Sequence, residues 1–330
     1  MKRLLFALLF VHLCFGQSGE INGVSFVAHR DTISEVHIQP ILKVNANYAA
    51  IMPFGFIREE VDSSLIHYNT HRQWYGETIE GAAQYIRKLK EQGVSIMLKP
   101  QIWIGHGTFT GHYKMNSEEG WLEFETSYRN FILDFAKLAA AEKVEIFCIG
   151  TELEAFVMTR PEFWSKIIAE IKSIYKGKLT YAANWDEYAE VPFWKELDYI
   201  GIDAYFPISE AMTPTVEDAK KGWQPWKDTL RKFSEAKGKR ILFTEYGYRS
   251  MDHAGKEPWY SGREEESLNI TAQGNLLTAL YEEVWNEPWM AGGFLWKWFV
   301  DHDSVGGPLN NQFTVQNKPT ELVVQYYYAN

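Results

Sequence analysis

The sequence predicts a single (β/α)8 barrel. Eight strand-like apolar runs alternate with helical segments along residues 17–330, and no linker, repeat or low-complexity tract divides them. Nearly every run ends in polar or aromatic side chains, which is typical of the carboxyl ends of barrel strands, where this fold places its functional groups. A doubly wound open sheet is the alternative, but VSFVAHRD stands where that fold carries a glycine-rich phosphate loop.

The strands are recognised as short apolar runs bounded by turn residues, as expected of parallel strands that are covered on both faces. In chain order they are predicted at 24–28, 48–53, 94–98, 144–149, 179–183, 199–204, 240–244 and 292–296.

The helices are recognised by apolar residues at three- and four-residue spacing and by their end signals. Gly93 ends the helix predicted at 77–92, Ser117 is a candidate N-cap for 117–141, and Pro161 opens 161–175. The remaining helices are predicted at 193–197, 215–236, 268–286 and 320–328.

Composition and charge narrow the classes of function. The formal net charge of −10 argues against nucleic acid or an anionic membrane surface as a partner. Phe, Tyr and Trp make up 15% of the chain, an excess typical of grooves that stack on flat ligands such as sugar rings. Extra packing in the core is the alternative explanation.

Residues 1–16 have the pattern of a secretory signal peptide. Lys2 and Arg3 precede an apolar run, and Cys14-Phe15-Gly16 offers a cleavage site between small residues. No other segment is long enough to span a membrane. We therefore expect a secreted or periplasmic protein whose barrel occupies residues 17–330.

Glu245 follows an apolar strand and stands at its carboxyl end, in RILFTEYGYRS. A carboxylate at this position is costly unless it is paired or used. The segment VEIFCIGTELE repeats the pattern and ends its strand at Glu152. The two glutamates belong to the fourth and seventh predicted strands, which face each other across the mouth of an eight-stranded barrel.

Two facing carboxyl groups suit glycoside hydrolysis, in which one acid protonates the leaving oxygen and one carboxylate meets the developing oxocarbenium ion. Mutual repulsion and burial would keep one of them protonated near neutral pH. Glu154 competes with Glu152 for the role of acid, although Glu152 is nearer the end of the strand.

Other catalytic chemistries have weaker support. The histidines show neither HxH nor HExxH spacing, so no metal site and no cofactor is predicted. The sequence has no GxSxG motif, and Cys148 lies in the middle of a strand.

Further strand ends supply candidate substrate-binding residues. Trp296 is a candidate platform beneath the sugar whose bond is cut, with Lys297 beside it, and Tyr205 could hold the nucleophile ionised. For Trp296 and Tyr205, packing in the core is an equally plausible role. The remaining candidates at strand ends are Lys99, Trp103, Asn184 and Trp185.

The motifs GTELE, NWDEY, YIGIDAYFP, ILFTEYGYRS and GGFLWKWF together resemble those of glycoside hydrolase family 113 over essentially the whole mature chain. The characterised members of that family are retaining β-mannanases, with catalytic glutamates on barrel strands four and seven. The resemblance implies that Glu152 is the acid/base and Glu245 the nucleophile, with Tyr205 and Trp296 around the cleaved sugar. The wider clan carries Asn directly before the acid/base, and here Thr151 stands at that position.

We therefore predict a retaining glycosidase that acts on β-mannan or a related β-linked polysaccharide. A β-glucan or galactan hydrolase of the same fold is the first alternative. A carbohydrate-binding barrel without activity is the second, but a barrel that only binds has no need for both Glu152 and Glu245.

Overall fold

The computed structural model describes residues 20–58, 64–105, 108–262 and 267–330. The predicted signal peptide at 1–16 lies outside the described residues. The strands are β1 (Ile21–Phe26), β2 (Tyr48–Ile51), β3 (Phe54–Ile57), β4 (Ser95–Leu98), β5 (Gln101–Ile104), β6 (Ile146–Thr151), β7 (Lys178–Asn184), β8 (Ile200–Asp203), β9 (Ile241–Tyr246) and β10 (Met290–Trp298). The α-helices are α1 (Glu35–Lys43), α2 (Ile79–Glu91), α3 (Glu118–Ala141), α4 (Glu154–Thr159), α5 (Pro161–Ile174), α6 (Val216–Lys237), α7 (Ile270–Leu280) and α8 (Pro319–Ala329).

Eight of these strands close into a parallel barrel in the order β1, β2, β4, β6, β7, β8, β9, β10, with β10 returning to β1. This confirms the predicted fold class. Among the described residues, no helix is both long and apolar enough to cross a bilayer.

The alternation of side chains along the strands explains which residues reach the mouth of the barrel. Met97, Ala182 and Phe294 belong to the apolar cluster that also contains Cys148 and Leu242. Because side chains two residues apart in a strand point the same way, Lys99, Asn184 and Trp296 continue these faces toward the carboxyl ends of the strands. The larger apolar cluster lies between the strands and the surrounding helices.

The predicted second strand is interrupted. It was expected at 48–53, but β2 ends at Ile51, and the chain forms a second short strand, β3. This strand pairs in parallel with β5 outside the barrel, with Phe56 opposite Trp103. The short sheet extends the β2–β4 side of the barrel past its mouth.

Several helical segments differ from the prediction. Helix α1 was not predicted from the sequence, because it contains Pro40, a residue that normally breaks helices. Nor was α4 predicted, a short helix immediately after Glu152 and Leu153. The helix expected at 193–197 is a 3₁₀ turn at Trp194–Glu196, and α7 continues as a π-helical turn at Tyr281–Trp285.

Candidate active site

Glu245 lies at the end of β9 and is held by three donors, one between β4 and β5, one at the start of β5 and one from the segment after β8. The Lys99 ammonium and Gln101 Nε2 both donate to Glu245 Oε1, the amide over 3.1 Å. The Tyr205 hydroxyl donates to Oε2 over 2.9 Å. With these three donors the carboxylate is fixed in orientation, and it is only 7% exposed.

Lys99 joins Glu245 to a second buried carboxylate, Asp203 at the end of β8. Lys99 Nζ lies 3.2 and 3.3 Å from the two oxygens of Asp203, and the Thr244 hydroxyl donates to one of them over 2.7 Å. Lys99 and Asp203 are both fully buried. Burial alone would lower the pKa of Lys99, but the charges of Asp203 and Glu245 outweigh this and raise that pKa above its usual value.

Glu152 directly follows β6 and has a left-handed backbone, with φ of 48°. This conformation is unfavourable for a residue other than glycine, and backbone strain of this kind clusters at functional sites. Two contacts hold the segment, since the Glu152 amide donates to the Ala182 carbonyl over 2.8 Å and the Leu153 amide to the Tyr181 hydroxyl over 2.7 Å.

The environment of Glu152 favours its protonated form. Loss of solvation raises its pKa well above the usual value, and the negative charges of Asp203 and Glu245 raise it further. The pKa of Asp203 is also raised, first by burial and then by the charge of Glu245, and the positive charge of Lys99 offsets part of this increase. The site therefore contains Lys99 and the carboxyl groups of Glu152, Asp203 and Glu245, with Glu187 close by, and burial above all raises the pKa of Glu152 so that its protonated form is favoured.

Glu154, the competing candidate for the acid, begins α4. Its charge acts on Glu187, and it does not figure among the charges that shift the pKa of Glu152. The charge of Glu245 thus acts on Glu152, which directly follows β6, whereas Glu154 lies in the next helix.

Trp296 is half-buried at the mouth of the barrel and packs on the apolar cluster of the barrel interior. The Lys297 ammonium lies 5.3 Å from the centroid of the Trp296 ring. Trp298, in contrast, is fully buried in the layer between strands and helices. This leaves Trp296 as the indole of this strand that a ligand can reach.

The other candidates occupy different positions. Lys99 is completely buried, so its contacts are with carboxylates and not with a ligand. Asn184 ends β7, and its side-chain oxygen accepts from the amide of Trp185. Trp185 stacks on Trp259, and Trp103 is 55% exposed on β5, in the outer sheet.

Sequence reasoning missed Gln101 as a ligand of Glu245 and gave Asp203 no role. Gln101 stands two residues after Lys99, where the chain begins the unexpected strand β5, so its direction could not be inferred. Asp203 was visible as a polar strand end, but its pairing with Lys99 joins residues 104 positions apart. In the described part of the chain, no three His, Cys, Asp or Glu side chains are arranged so that they could hold a metal ion.

Lys99→Met should destabilise the fold by about 3–5 kcal/mol, because two buried carboxylates lose their cation. Without Lys99 the pKa of Asp203 rises further above its unfolded value, so the folded state binds more protons. The free energy of unfolding should therefore fall more steeply than that of wild type as pH rises between about pH 5 and about pH 8. Urea unfolding at both pH values measures this.

Lys137→Met is the matched control, since Lys137 forms an exposed pair with Asp134. It should cost less than about 1 kcal/mol, nearly independently of pH. A Lys99→Met variant that behaves like this control would contradict the charge arrangement described for the site.

Comparisons with known proteins agree on one family and fold. The sequence profile of Glycoside Hydrolase Family 113 matches residues 27–318. A GH113 β-mannanase from Alicyclobacillus acidocaldarius superimposes with a TM-score of 0.82 at 23% identity, covering 95% of this chain and 98% of that one. A GH113 β-1,4-mannanase superimposes with a TM-score of 0.80 at 21% identity, covering 94% of this chain and 99% of that one.

A more distant structure, a β-glucuronidase from Ruminococcus gnavus, has a TM-score of 0.60 at 16% identity and covers 94% of this chain but 50% of its own. A comparison with curated proteins gave no significant match.

Proposed function

The chain belongs to glycoside hydrolase family 113, and from this premise we propose that it hydrolyses β-1,4-linked mannan or a related β-mannoside polysaccharide with retention of configuration. One observation carries the proposal: a carboxylate fixed by three donors, Glu245, lies within electrostatic reach of a carboxyl group that favours its proton, Glu152. The names of the β-mannanase structures support the choice of sugar.

In the first step, Glu245 attacks the anomeric carbon of the sugar and Glu152 protonates the departing glycosidic oxygen. The donors from Lys99, Gln101 and Tyr205 hold the Glu245 carboxyl group in a fixed orientation, so little reorganisation is needed as the bond forms. The raised pKa of Glu152 supplies a proton at a pH where an ordinary glutamate has lost it.

In the second step, Glu152 is ionised and takes a proton from water, which attacks the glycosyl–Glu245 ester. Two inversions at the same carbon give net retention. Formation of the ester neutralises the carboxylate of Glu245 and so removes one of the charges that raised the pKa of Glu152. The acid of the first step is thereby suited to act as the base of the second.

Lys99 and Asp203 act in this scheme as positioning residues. Both are fully buried and reach the reacting sugar only through Glu245. Tyr205 and Gln101 complete the cradle of the nucleophile, and Trp296 offers its half-exposed indole to the sugar that is attacked.

A reducing-sugar assay on mannan, glucomannan, xylan and β-glucan tests the proposed function. We expect release from mannan and glucomannan and little from xylan or β-glucan. Preference for β-glucan would contradict the sugar assignment and retain the mechanism. No release from any of the four, with intact fold, would support a barrel that only binds carbohydrate.

Trp296→Ala should fold with a modest decrease in melting temperature and lose roughly one to two orders of magnitude in kcat/KM. The reason is that a stacked indole contributes about 1–3 kcal/mol to binding of a flat ring. Trp296→Phe should recover part of the activity, since the smaller ring still offers an apolar face. Thermal melts and steady-state kinetics on the same preparation measure both effects.

The control for Trp296 is Trp298, which is fully buried. Trp298→Ala should lose about 3–5 kcal/mol of stability through truncation of a core side chain. If Trp296→Ala melts as early as Trp298→Ala and its folded fraction works normally, Trp296 is a packing residue.

We also propose that the protein acts outside the cytoplasm, supported by the signal-like pattern of residues 1–16. A polysaccharide substrate is consistent with this location. N-terminal sequencing of protein recovered from an expressing culture should find a chain that begins after Gly16.

A further inference from the structure

A pair of stacked indoles lies on the rim of the barrel mouth. The rings of Trp185 and Trp259 have centroids 5.1 Å apart and planes within 17° of parallel. Trp185 directly follows β7, and Trp259 belongs to the segment between β9 and α7. Trp259 is 42% exposed, so it presents a large apolar surface to solvent beside the site.

The stack is supported from beneath. Trp185 makes edge-on contacts with Trp226 and Phe206, with ring centroids 5.7 and 6.0 Å away. The Trp226 indole N–H donates to the Pro207 carbonyl over 2.9 Å, which fixes the supporting ring. The contacts of Trp185 and Trp226 thus hold the Trp259 ring in place, so a ligand that stacks on this ring loses little binding free energy to ordering of the side chain.

The stacked indoles lie on the side of the barrel mouth that carries Glu152, and not on the side that carries Trp296. Trp185 lies one residue past the end of β7, and β7 pairs directly with β6, the strand that leads into Glu152. Trp296 lies on β10, on the opposite side of β9 and Glu245. A glycan whose attacked sugar sits at Trp296 and whose leaving oxygen meets Glu152 continues toward the stack.

A cavity of about 490 Å³ adjoins the same segment. Pro258 and Tyr260, the neighbours of Trp259 in the chain, line it together with Glu210, Asp252 and Lys256. The volume is sufficient for a sugar ring, and the polar side chains offer both donors and acceptors for its hydroxyl groups. The chain segment that carries Trp259 thus also contributes to a cavity of a size and polarity suited to a sugar.

We propose that Trp259, supported by Trp185, is the stacking platform of an acceptor subsite that binds the leaving-group part of the glycan, on the reducing-end side of the cleaved bond. This inference rests on the proposed function, because it takes its direction from Glu152 as the acid. The subsite favours long substrates, whose distal sugars reach the platform, and an aryl glycoside with a small leaving group does not reach it.

The test compares Trp259→Ala with wild type on two substrates, a soluble mannan and an aryl β-mannobioside. We expect kcat/KM to fall roughly 5- to 150-fold on mannan, the range for loss of one stacking contact. On the aryl glycoside we expect a change of less than about two-fold. Trp259→Phe should recover part of the loss on mannan.

Tyr326→Ala is the matched control, because Tyr326 is 62% exposed near the end of α8, which is remote from the barrel mouth. It should leave both substrates unaffected. Equal losses on both substrates in Trp259→Ala, or no loss on either, would overturn the acceptor platform. Failure of wild type to cleave mannan would instead contradict the proposed function, and the inference with it.

Discussion

Glu245→Gln is expected to reduce turnover by roughly four orders of magnitude or more, to background, because an amide cannot attack the anomeric carbon. The substitution keeps the size and shape of the side chain among Lys99, Gln101 and Tyr205, so the fold should be retained. Steady-state kinetics on mannan, together with a thermal melt, measure the two effects. Glu154→Gln is the control and should retain most of the activity.

Glu245→Ala should regain part of its activity when azide is added. The small anion occupies the space of the missing carboxylate and attacks the sugar in one step, giving a glycosyl azide of inverted configuration. Proton NMR of the product identifies the anomer. Rescue with retained configuration would place the nucleophile elsewhere.

Glu152→Ala is expected to lose roughly 10²- to 10⁴-fold on mannan, the contribution of general acid catalysis, and much less on aryl glycosides in the glycosylation step. Only a poor leaving group needs the proton. Wild-type kcat/KM on mannan should also fall as pH rises through the raised pKa of Glu152, because the acid must be protonated. That alkaline limb should be absent from Glu152→Ala.

Glu154→Ala provides the comparison, since Glu154 was the competing acid in the sequence. It should show no selectivity between mannan and aryl substrates. If Glu154→Ala shows the leaving-group pattern and Glu152→Ala does not, the acid has been assigned to the wrong residue. Equal losses on both substrates in Glu152→Ala would indicate a role in folding or binding.

The fold could be predicted because its signals are local. Each barrel strand is a short apolar run that can be recognised from its own residues. The position of Glu245 near the carboxyl end of β9 then predicts that it lies at the mouth of the barrel. Helix α1 was not predicted because Pro40 has a low helix propensity. Tertiary packing overrides this propensity, since Ile38 and Ile41 of the helix are fully buried.

The site was only partly accessible from the sequence because its contacts are long-range. Strand counting predicted that the two glutamates face each other, and Tyr205 was expected beside Glu245, whose carboxyl oxygen accepts a hydrogen bond from the Tyr205 hydroxyl. Lys99, in contrast, was expected to contact substrate, but it is fully buried beneath Glu245, 146 residues away in the chain. The hydrophobic periodicity of a sequence carries no information about a contact between two residues so far apart in the chain.

The two stacked indoles at the barrel mouth, Trp185 and Trp259, also could not be assigned from the sequence. Trp185 was a candidate sugar-binding residue, yet its ring is half-covered by Trp259, a loop residue that carried no motif. Only the folded chain shows which of the two indoles presents its surface to solvent.

The central claim is that Glu245 forms a covalent bond to the sugar, and mass spectrometry of a trapped intermediate tests it most directly. A 2-deoxy-2-fluoro-β-mannosyl fluoride should inactivate the enzyme, because the 2-fluorine slows both formation and hydrolysis of the ester, while the good leaving group at C1 keeps formation fast enough for the ester to accumulate. The tryptic peptide 241–249 should then gain the mass of one 2-deoxy-2-fluoromannosyl group, with fragmentation placing it on Glu245. A label on Glu152 or Asp203, or turnover that gives the inverted anomer without any label, would contradict the account.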